Sequence, residues 1–70
     1  MKTDPNTLVV VSYSPVHDNF GTLYKGTTIF ESSDWSRCLT YAERFADWLG
    51  EEFGSSRIEL AEKLVEKVCS

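Results

Sequence analysis

The sequence predicts a small α+β fold: a two-stranded antiparallel hairpin followed by two antiparallel helices, ββαα. Three observations predict it. Two extended runs flank a loop rich in turn formers, apolar residues recur at helical spacing through the middle of the chain, and a shorter helical pattern closes it. At 70 residues the chain is long enough for one domain. We expect residues 1–6 to form a flexible leader and residues 7–70 to form the domain.

The predicted hairpin comes first. Leu8–Ser14 is rich in β-branched residues and is followed by a loop of turn formers, Pro15–Gly21. Thr22–Phe30 then returns as the second strand, antiparallel to the first. Gly26 interrupts this return strand. We expect one kinked strand, and the alternative is a tight turn at Lys25-Gly26 that leaves three short strands.

The first helix follows the hairpin. We expect Ser32 or Ser33 as its N-cap, Leu49 as its last residue and Gly50 as the left-handed residue beyond it. Its apolar positions fall at i, i+3, i+4, i+7, i+10, i+11 and i+14. These positions are Trp35, Cys38, Leu39, Ala42, Phe45, Ala46 and Leu49. We expect four large members of this set to form the centre of the core: Trp35, Leu39, Phe45 and Leu49.

The second helix is predicted from a capping box, Ser56-x-x-Glu59, at its start. Glu59 and Lys63 would form an i,i+4 pair on its surface. The short connector makes the two helices antiparallel neighbours. The predicted buried face of this helix comprises Ile58, Ala61, Leu64, Val65 and Val68.

A second stripe runs along the first helix beside its apolar face. Its members recur at i, i+4, i+7 and i+11: Arg37, Tyr41, Arg44 and Trp48. Trp, Tyr and Arg dominate the energetic hot spots of protein interfaces, so the stripe is a candidate partner-binding edge. In the alternative interpretation, the rings of Tyr41 and Trp48 pack under the second helix or the hairpin and the arginines cap them.

The loop between the strands adds candidate contact residues, His17, Asp18 and Phe20. A catalytic histidine needs a nucleophile and a third, orienting group at fixed geometry, and nothing in the sequence places either beside His17. Two adjacent residues, His17 and Asp18, are also not a metal-ligand set. We therefore interpret the loop as a surface turn, and expect no enzyme activity, metal or cofactor.

The two cysteines have two interpretations. In an antiparallel helical pair, Cys38 and Cys69 lie at similar distances from the connector, so a disulfide between them would fasten the C-terminal helix. Alternatively, Cys38 is a small core residue and Cys69 belongs to a fraying end. Two cysteines are too few for a disulfide framework.

The charge narrows the class of partner. The net charge is −4, and the seven basic residues are dispersed, which disfavours attraction to nucleic acid or to anionic membranes. No apolar run approaches the roughly 20 residues of a membrane span, and we expect a cytoplasmic protein. The acidic face of the first helix admits mimicry of a phosphate backbone as a less favoured interpretation.

We therefore predict a small acidic, non-enzymatic protein-binding module, an inhibitor or adaptor acting on a larger protein or complex. The alternative is a homodimeric structural or regulatory protein that completes its core by self-association. In size, charge and layout, although in no motif, the chain resembles the small host-takeover inhibitors that bacteriophages encode. That resemblance implies a viral inhibitor of a host complex.

Overall fold

The computed structural model describes residues 8–69, with side chains through residue 68. The predicted leader and the side chain of Cys69 lie outside this part. The elements in chain order are β1 (Leu8–Ser14), β2 (Asn19–Tyr24), β3 (Thr27–Ser32), α1 (Trp35–Phe53), β4 (Arg57–Leu60) and α2 (Glu62–Cys69). The fold is α+β, as predicted. The order ββαα is wrong, because the strands form one mixed sheet, β3-β2-β1-β4, and a strand separates the two helices.

The first three strands form an antiparallel meander. β1 pairs with β2 from Val9 opposite Tyr24 to the end of the ladder, and β2 pairs with β3. Lys25 and Gly26 connect β2 to β3 and have φ angles of 54° and 77°. Positive φ at both central residues is typical of the type I′ turn, whose twist matches that of a hairpin. The expected single kinked strand is therefore wrong, and the alternative with three short strands describes this part of the chain.

Helix α1 is longer than predicted. Its N-cap is Asp34 rather than a serine, because the Asp34 carboxylate accepts hydrogen bonds from the backbone N–H and the hydroxyl of Ser36, at 3.1 and 2.8 Å. Its left-handed C-terminal residue is Gly54, with φ 88°, and not Gly50. Gly50 stays helical, and its carbonyl accepts a hydrogen bond from the Gly54 N–H at 2.8 Å. The Ser56 hydroxyl also donates to the Ala46 carbonyl, which attaches the following segment to the helix.

Strand β4 replaces the start of the predicted second helix. It pairs in parallel with β1, from Leu8 opposite Arg57 to Val11 opposite Leu60. The Ala61 N–H extends this pairing by donating to the Val11 carbonyl at 2.9 Å. Pairing on this side satisfies the backbone groups of β1, whose burial would otherwise leave them without water or partner. The predicted capping box is therefore wrong.

The side chains near β4 follow from its extended backbone. Glu59 forms an ion pair with Arg57, at 3.1 Å, and not with Lys63. The Glu59 carboxylate and the Arg57 guanidinium belong to the same strand, two residues apart. Of the residues predicted to form the buried face of the second helix, Leu64 is buried on α2. Val65 and Val68 are exposed on the same helix.

The core lies between the sheet and one face of α1. The buried residues of α1 are small except for Leu49, namely Cys38, Ala42 and Ala46. Small side chains let a helix lie close to a sheet, so the large side chains must lie beside the contact and not within it. The predicted core centre is right for Leu49, whereas Trp35, Leu39 and Phe45 are only partly buried. The remaining buried apolar residues are Val9, Val11, Phe20 and Leu64.

A hydrogen bond joins the two layers of the fold. Thr22, in β2, is fully buried, and its hydroxyl donates to the carbonyl of Cys38 at 2.7 Å. Burial raises the pKa of the Cys38 thiol, which is free. β4 lies between α1 and α2 in the chain, so the short connector from which facing positions of Cys38 and Cys69 were predicted is absent.

The N-cap of α1 gives a prediction for acid pH. The hydrogen bonds from Ser36 hold the pKa of Asp34 below the ordinary value of 3.8, so the stabilisation is fully present above that value and is lost as the pH falls through the folded-state pKa. Asparagine caps without titrating. We expect the difference in Tm between the wild type and Asp34→Asn to be constant from pH 6 to pH 4 and to shift against the wild type below this, measured by thermal unfolding.

Ser36→Ala is the matched control, since it removes the hydroxyl donor and keeps the backbone donor. In Ser36→Ala, the acid-induced loss of stability should occur at a higher pH than in the wild type. If the difference in Tm between the wild type and Asp34→Asn stayed constant down to pH 2, the assignment of Asp34 as the N-cap would be contradicted.

Candidate functional site

The side of α1 that faces β3 carries exposed aromatic residues. Tyr41, Arg44, Phe45 and Trp48 line a shallow cleft of about 310 Å³ there, and we call these four residues the aromatic flank. Their spacing places them on one side of the helix because residues three and four apart are neighbours on its surface. The sequence predicted three of the four as partner-binding residues. The fourth, Phe45, was expected at the centre of the core.

The rings of the aromatic flank continue onto the sheet. Phe30, in β3, stacks on Tyr41 with centroids 4.7 Å apart and planes 5° from parallel. Phe45 lies 5.0 Å from Tyr24, in β2, with the two rings edge to face. Phe45 also lies 5.7 Å from Trp48. Five rings from two strands and a helix thus support one another, and such pairs contribute about 0.5–1.5 kcal/mol each beyond their buried area.

Two of these rings remain accessible to a partner. Trp48 is 52% exposed and Tyr41 is 38% exposed. Tyr41 contacts β3 through its stack with Phe30. The alternative interpretation, in which these rings pack beneath other elements, therefore fails for Trp48 and describes only one face of Tyr41. The rings of Tyr41 and Trp48 are held in place by their partly buried neighbours Phe30 and Phe45.

The charges of α1 are not segregated by sign, because Asp47 lies three residues from Arg44 and Glu52 lies four residues from Trp48. Its two basic residues, Arg37 and Arg44, follow the stripe of the aromatic flank. On the side facing β4, Glu43 and Asp47 line a second cleft. Arg44 forms no ion pair with another described residue. The aromatic flank thus combines apolar rings with a guanidinium that forms no ion pair, in a chain whose net charge is −4.

The loop residues do not join this surface. His17 and Asp18 are exposed in the turn between β1 and β2, and Asp18 accepts a hydrogen bond from the Tyr13 hydroxyl, which raises the pKa of Tyr13. Phe20 lies in β2, is buried, and packs against Tyr13 with centroids 5.2 Å apart. Phe20 is therefore part of the core and not of an exposed loop.

The two predicted parts of the contact surface lie at opposite ends of β2. The loop precedes Asn19, the first residue of that strand, whereas Tyr24, its last residue, contacts Phe45. Trp48 lies one turn beyond Phe45 on α1. The structure thus brings Tyr41, Arg44 and Trp48 together and separates them from His17.

A further cleft lies between β1 and α2. It is lined by Tyr13 and Pro15 from the sheet side and by Lys63, Glu66 and Lys67 from the helix. The Lys67 ammonium lies 5.2 Å from the centroid of the Tyr13 ring, a cation–π arrangement that attaches α2 to the sheet. The Tyr13 and Lys67 side chains that line this cleft therefore have a structural role in packing α2 against the sheet.

The described part of the chain offers no group of three His, Cys, Asp or Glu side chains that could hold a metal ion. Among its helices, none has the length and apolar character needed to cross a bilayer. His17 is exposed in a turn. The aromatic flank offers ring faces that apolar or planar groups can contact and a guanidinium that a carboxylate can contact.

Sequence reasoning missed the strand residues of the ring cluster, Tyr24 and Phe30. The signal was present in their aromatic character, but the face on which each projects depends on the turn at Lys25 and Gly26 and on the irregular pairing beside Thr22. No protein-family model matches the chain, and no curated protein or solved structure is significantly similar to it.

Proposed function

We propose that the protein is a small, non-enzymatic protein-binding module, an inhibitor or adaptor of a larger protein, and that the aromatic flank is its contact surface. The observation that carries this proposal is the exposure of Trp48 and Tyr41 on top of a fixed cluster of rings. Exposed indole and phenol rings are the side chains from which interface hot spots are most often built.

The support beneath the exposed rings strengthens the proposal. Association costs free energy when it immobilises flexible side chains. Tyr41 is held by its stack on Phe30, and Trp48 by its contact with Phe45, so their conformations are restricted before any partner arrives. Arg44 also lines the cleft and adds a positive charge. The surface therefore loses less conformational entropy on binding than one made of long flexible side chains.

Mimicry of nucleic acid and direct binding to nucleic acid or to a membrane receive less support. The acidic side of α1, with Glu43 and Asp47, is the basis of the proposal that the protein mimics nucleic acid. A net charge of −4 is modest for such mimicry and is unfavourable for binding nucleic acid or an anionic membrane directly. A cytoplasmic location stays a prediction.

The test is quantitative affinity capture from the lysate of the native host, with the tagged wild type and the double variant Tyr41→Ala/Trp48→Ala as baits. Truncating hot-spot residues costs about 2 kcal/mol or more each, so the double variant should recover the partner at least about tenfold less efficiently. Circular dichroism should verify that the variant is folded, because it loses the Tyr41–Phe30 and Trp48–Phe45 ring contacts.

Phe53→Ala is the matched control. Phe53 lies on the same helix and is 53% exposed, close to the value for Trp48, but it is outside the aromatic flank. The control should recover the partner as well as the wild type does. Equal recovery by the double variant and the wild type would rule out the aromatic flank as the contact surface.

The alternative function is self-association, favoured by the absence of a neighbouring strand on the outer edge of β3 within the described sheet. The mass from light scattering distinguishes the two functions. A dimer that dissociates on Trp48→Ala would support the homodimer, and a monomer with either residue would support an outside partner.

A further inference from the structure

Exposed side chains extend the aromatic flank toward both ends of α1. Arg37 precedes Tyr41 by four residues and Glu52 follows Trp48 by four, so both lie on the same side of the helix. With Arg44 included, the spacing from Arg37 to Trp48 is four, three and four residues, as in the seam between two packed helices. All five residues are exposed, and we call them the seam. At about 1.5 Å per residue the seam is about 22 Å long.

The neighbouring edge of the sheet is protected against an added strand. The pairing of β3 with β2 passes from Thr28 to Phe30 and leaves out Ile29. The same strand carries the exposed, charged residue Glu31. Irregular pairing and charged side chains are both devices that block edge strands. A partner of the aromatic flank is therefore better accommodated on α1 than as a further strand of the sheet.

The backbone of α1 favours a helical partner. Its N–H and C=O groups are paired within the helix along the seam, so they offer no hydrogen bonds to a partner. A segment that buries its own backbone against the rings must then satisfy its polar groups internally, as a helix does. The cleft of about 310 Å³ is at the lower limit for small-molecule pockets, about 300–1,000 Å³, and suits a projecting side chain better than a free ligand.

The charges at the C-terminal end of α1 favour one orientation of that helix. The last turn of α1 includes Glu51 and Glu52 and no basic residue. Carboxylates are unfavourable at the negative end of a helix dipole, and Asp47 adds a like charge four residues before Glu51. The N-terminus of a partner helix, with its free N–H groups and positive dipole end, would stabilise them. That end lies there when the partner runs antiparallel to α1.

A second copy of α1 fits the seam less well than a different helix does. Arg44 is near the midpoint of the seam, seven residues after Arg37 and eight before Glu52. A symmetric antiparallel pair would therefore place Arg44 beside its own copy, and the two like charges would repel each other. A helix of another protein does not carry this repulsion.

We infer that the partner of the aromatic flank is an amphipathic helix of the larger protein, which packs antiparallel to α1 along the seam. This inference rests on the proposed function and specifies its partner. Apolar side chains three and four residues apart on that helix contact the rings of Tyr41 and Trp48. Its N-terminal end lies over Glu52. Its C-terminal end lies over Arg37, where a cation is favourable.

The first test selects binders from two displayed libraries on the immobilised wild-type protein. One library randomises the exposed face of one helix in a stable three-helix scaffold, and the other presents random ten-residue peptides between glycine linkers. We expect binders from the helical library, with apolar residues three and four apart, that Trp48→Ala weakens at least about tenfold. Phe53→Ala, an equally exposed position of α1 outside the seam, is the matched control and should bind as the wild type does.

Three results would overturn the inference. They are linear binders with apolar residues at alternate positions, the absence of any binder that depends on Trp48, and a wild-type dimer that dissociates on Trp48→Ala. The last of these would assign the seam to a second copy. In the first two cases the proposed function still stands if host-protein capture depends on Tyr41 and Trp48, so the two failures can be told apart.

The second test measures the effect of charge at the end of the seam. Glu52→Lys removes a carboxylate from the negative end of α1 and should raise the Tm of the free protein by about 2–4 °C. The same variant should bind the selected helix about fivefold more weakly, because the positive end of that helix then meets a cation. A purely structural role for Glu52 would not produce these opposite effects. Glu43→Lys makes the same charge change on the other side of α1 and should leave the affinity unchanged.

The third test measures orientation directly. A nitroxide label at the N-terminal end of the selected helix should broaden the amide NMR signals of Glu51 and Glu52. A label at its C-terminal end should broaden the signal of Arg37. The reverse pattern of broadening, or an unchanged affinity of Glu52→Lys for the selected helix, would overturn the antiparallel arrangement and with it the inference.

Discussion

Leu49→Ala is expected to leave the protein largely unfolded at 37 °C. Leu49 is fully buried and is the one large side chain among the buried residues of α1. Replacing a buried leucine by alanine costs about 2–5 kcal/mol, from lost burial and from the cavity that remains. A single core in a chain of 70 residues seldom provides more than about 3–5 kcal/mol in total. Urea denaturation followed by circular dichroism measures the loss.

Phe53→Ala is the control for this substitution. It removes a larger side chain from the same helix, but Phe53 is exposed, so its free energy of unfolding should change by less than about 0.5 kcal/mol. The two variants therefore separate burial from hydrophobicity. A cooperative unfolding transition for Leu49→Ala within about 1 kcal/mol of the wild type would show that α1 does not cover the sheet as described.

Ala42→Leu is expected to destabilise the protein by about 1–3 kcal/mol, although leucine is apolar and favours helices. Ala42 is fully buried within the small-residue contact between α1 and the sheet. A larger side chain there must push the helix away or adopt an unfavourable rotamer. Thermal unfolding measures this loss of stability. If Ala42 faced solvent instead, the substitution would stabilise the protein.

The same substitution also tests how the fold supports the aromatic flank. Moving α1 outward would separate Tyr41 from Phe30, whose rings now lie 4.7 Å apart, and the ring-current shifts in the NMR spectrum of Tyr41 should decrease. Glu43→Leu adds a leucine at the next, exposed position and should change neither the stability nor these shifts appreciably. A stability equal to that of the wild type for Ala42→Leu would contradict the close approach of helix and sheet.

Helix α1 and its exposed stripe were predictable because their signals are local. The helical period of 3.6 residues alone places Tyr41, Arg44 and Trp48 on one side, and the structure keeps them there. The same period identified Leu49 as a core residue. It could not show which part of the broad apolar face meets the sheet. Phe45 was therefore expected at the centre of the core, whereas it lies at the margin.

The end of α1 and the element after it were not predictable, because distant contacts decide them. Gly50 and Gly54 are both plausible ends by their identity, and the hydrogen bond from Ser56 to the Ala46 carbonyl belongs to the folded arrangement. The segment at Ile58 has a helical capping pattern, but pairing with β1 makes it a strand. The stabilisation comes from hydrogen bonds to the backbone of β1, about 50 residues away in the sequence. Local propensity therefore could not predict it.

The β2–β3 turn was also beyond local reasoning. Lysine is an unusual choice for a position with φ of 54°, which asparagine, aspartate or glycine would normally occupy. Only Gly26 signalled the turn, and a glycine within a strand fits a bulge equally well. The consequence reached the candidate site, since this turn decides that Tyr24 and Phe30 face the helix layer.

The parallel pairing of β1 with β4 has a consequence for biosynthesis. β1 occupies an inner position in the sheet, yet β4, its neighbour on one side, is translated only after β2, β3 and α1. Until β4 has been translated, one edge of this valine-rich strand therefore lacks its hydrogen-bonding neighbour. Closure at such large separation along the chain is slow relative to hairpin formation. Fragments of this protein that end before Arg57 should therefore aggregate more readily than chains that include β4.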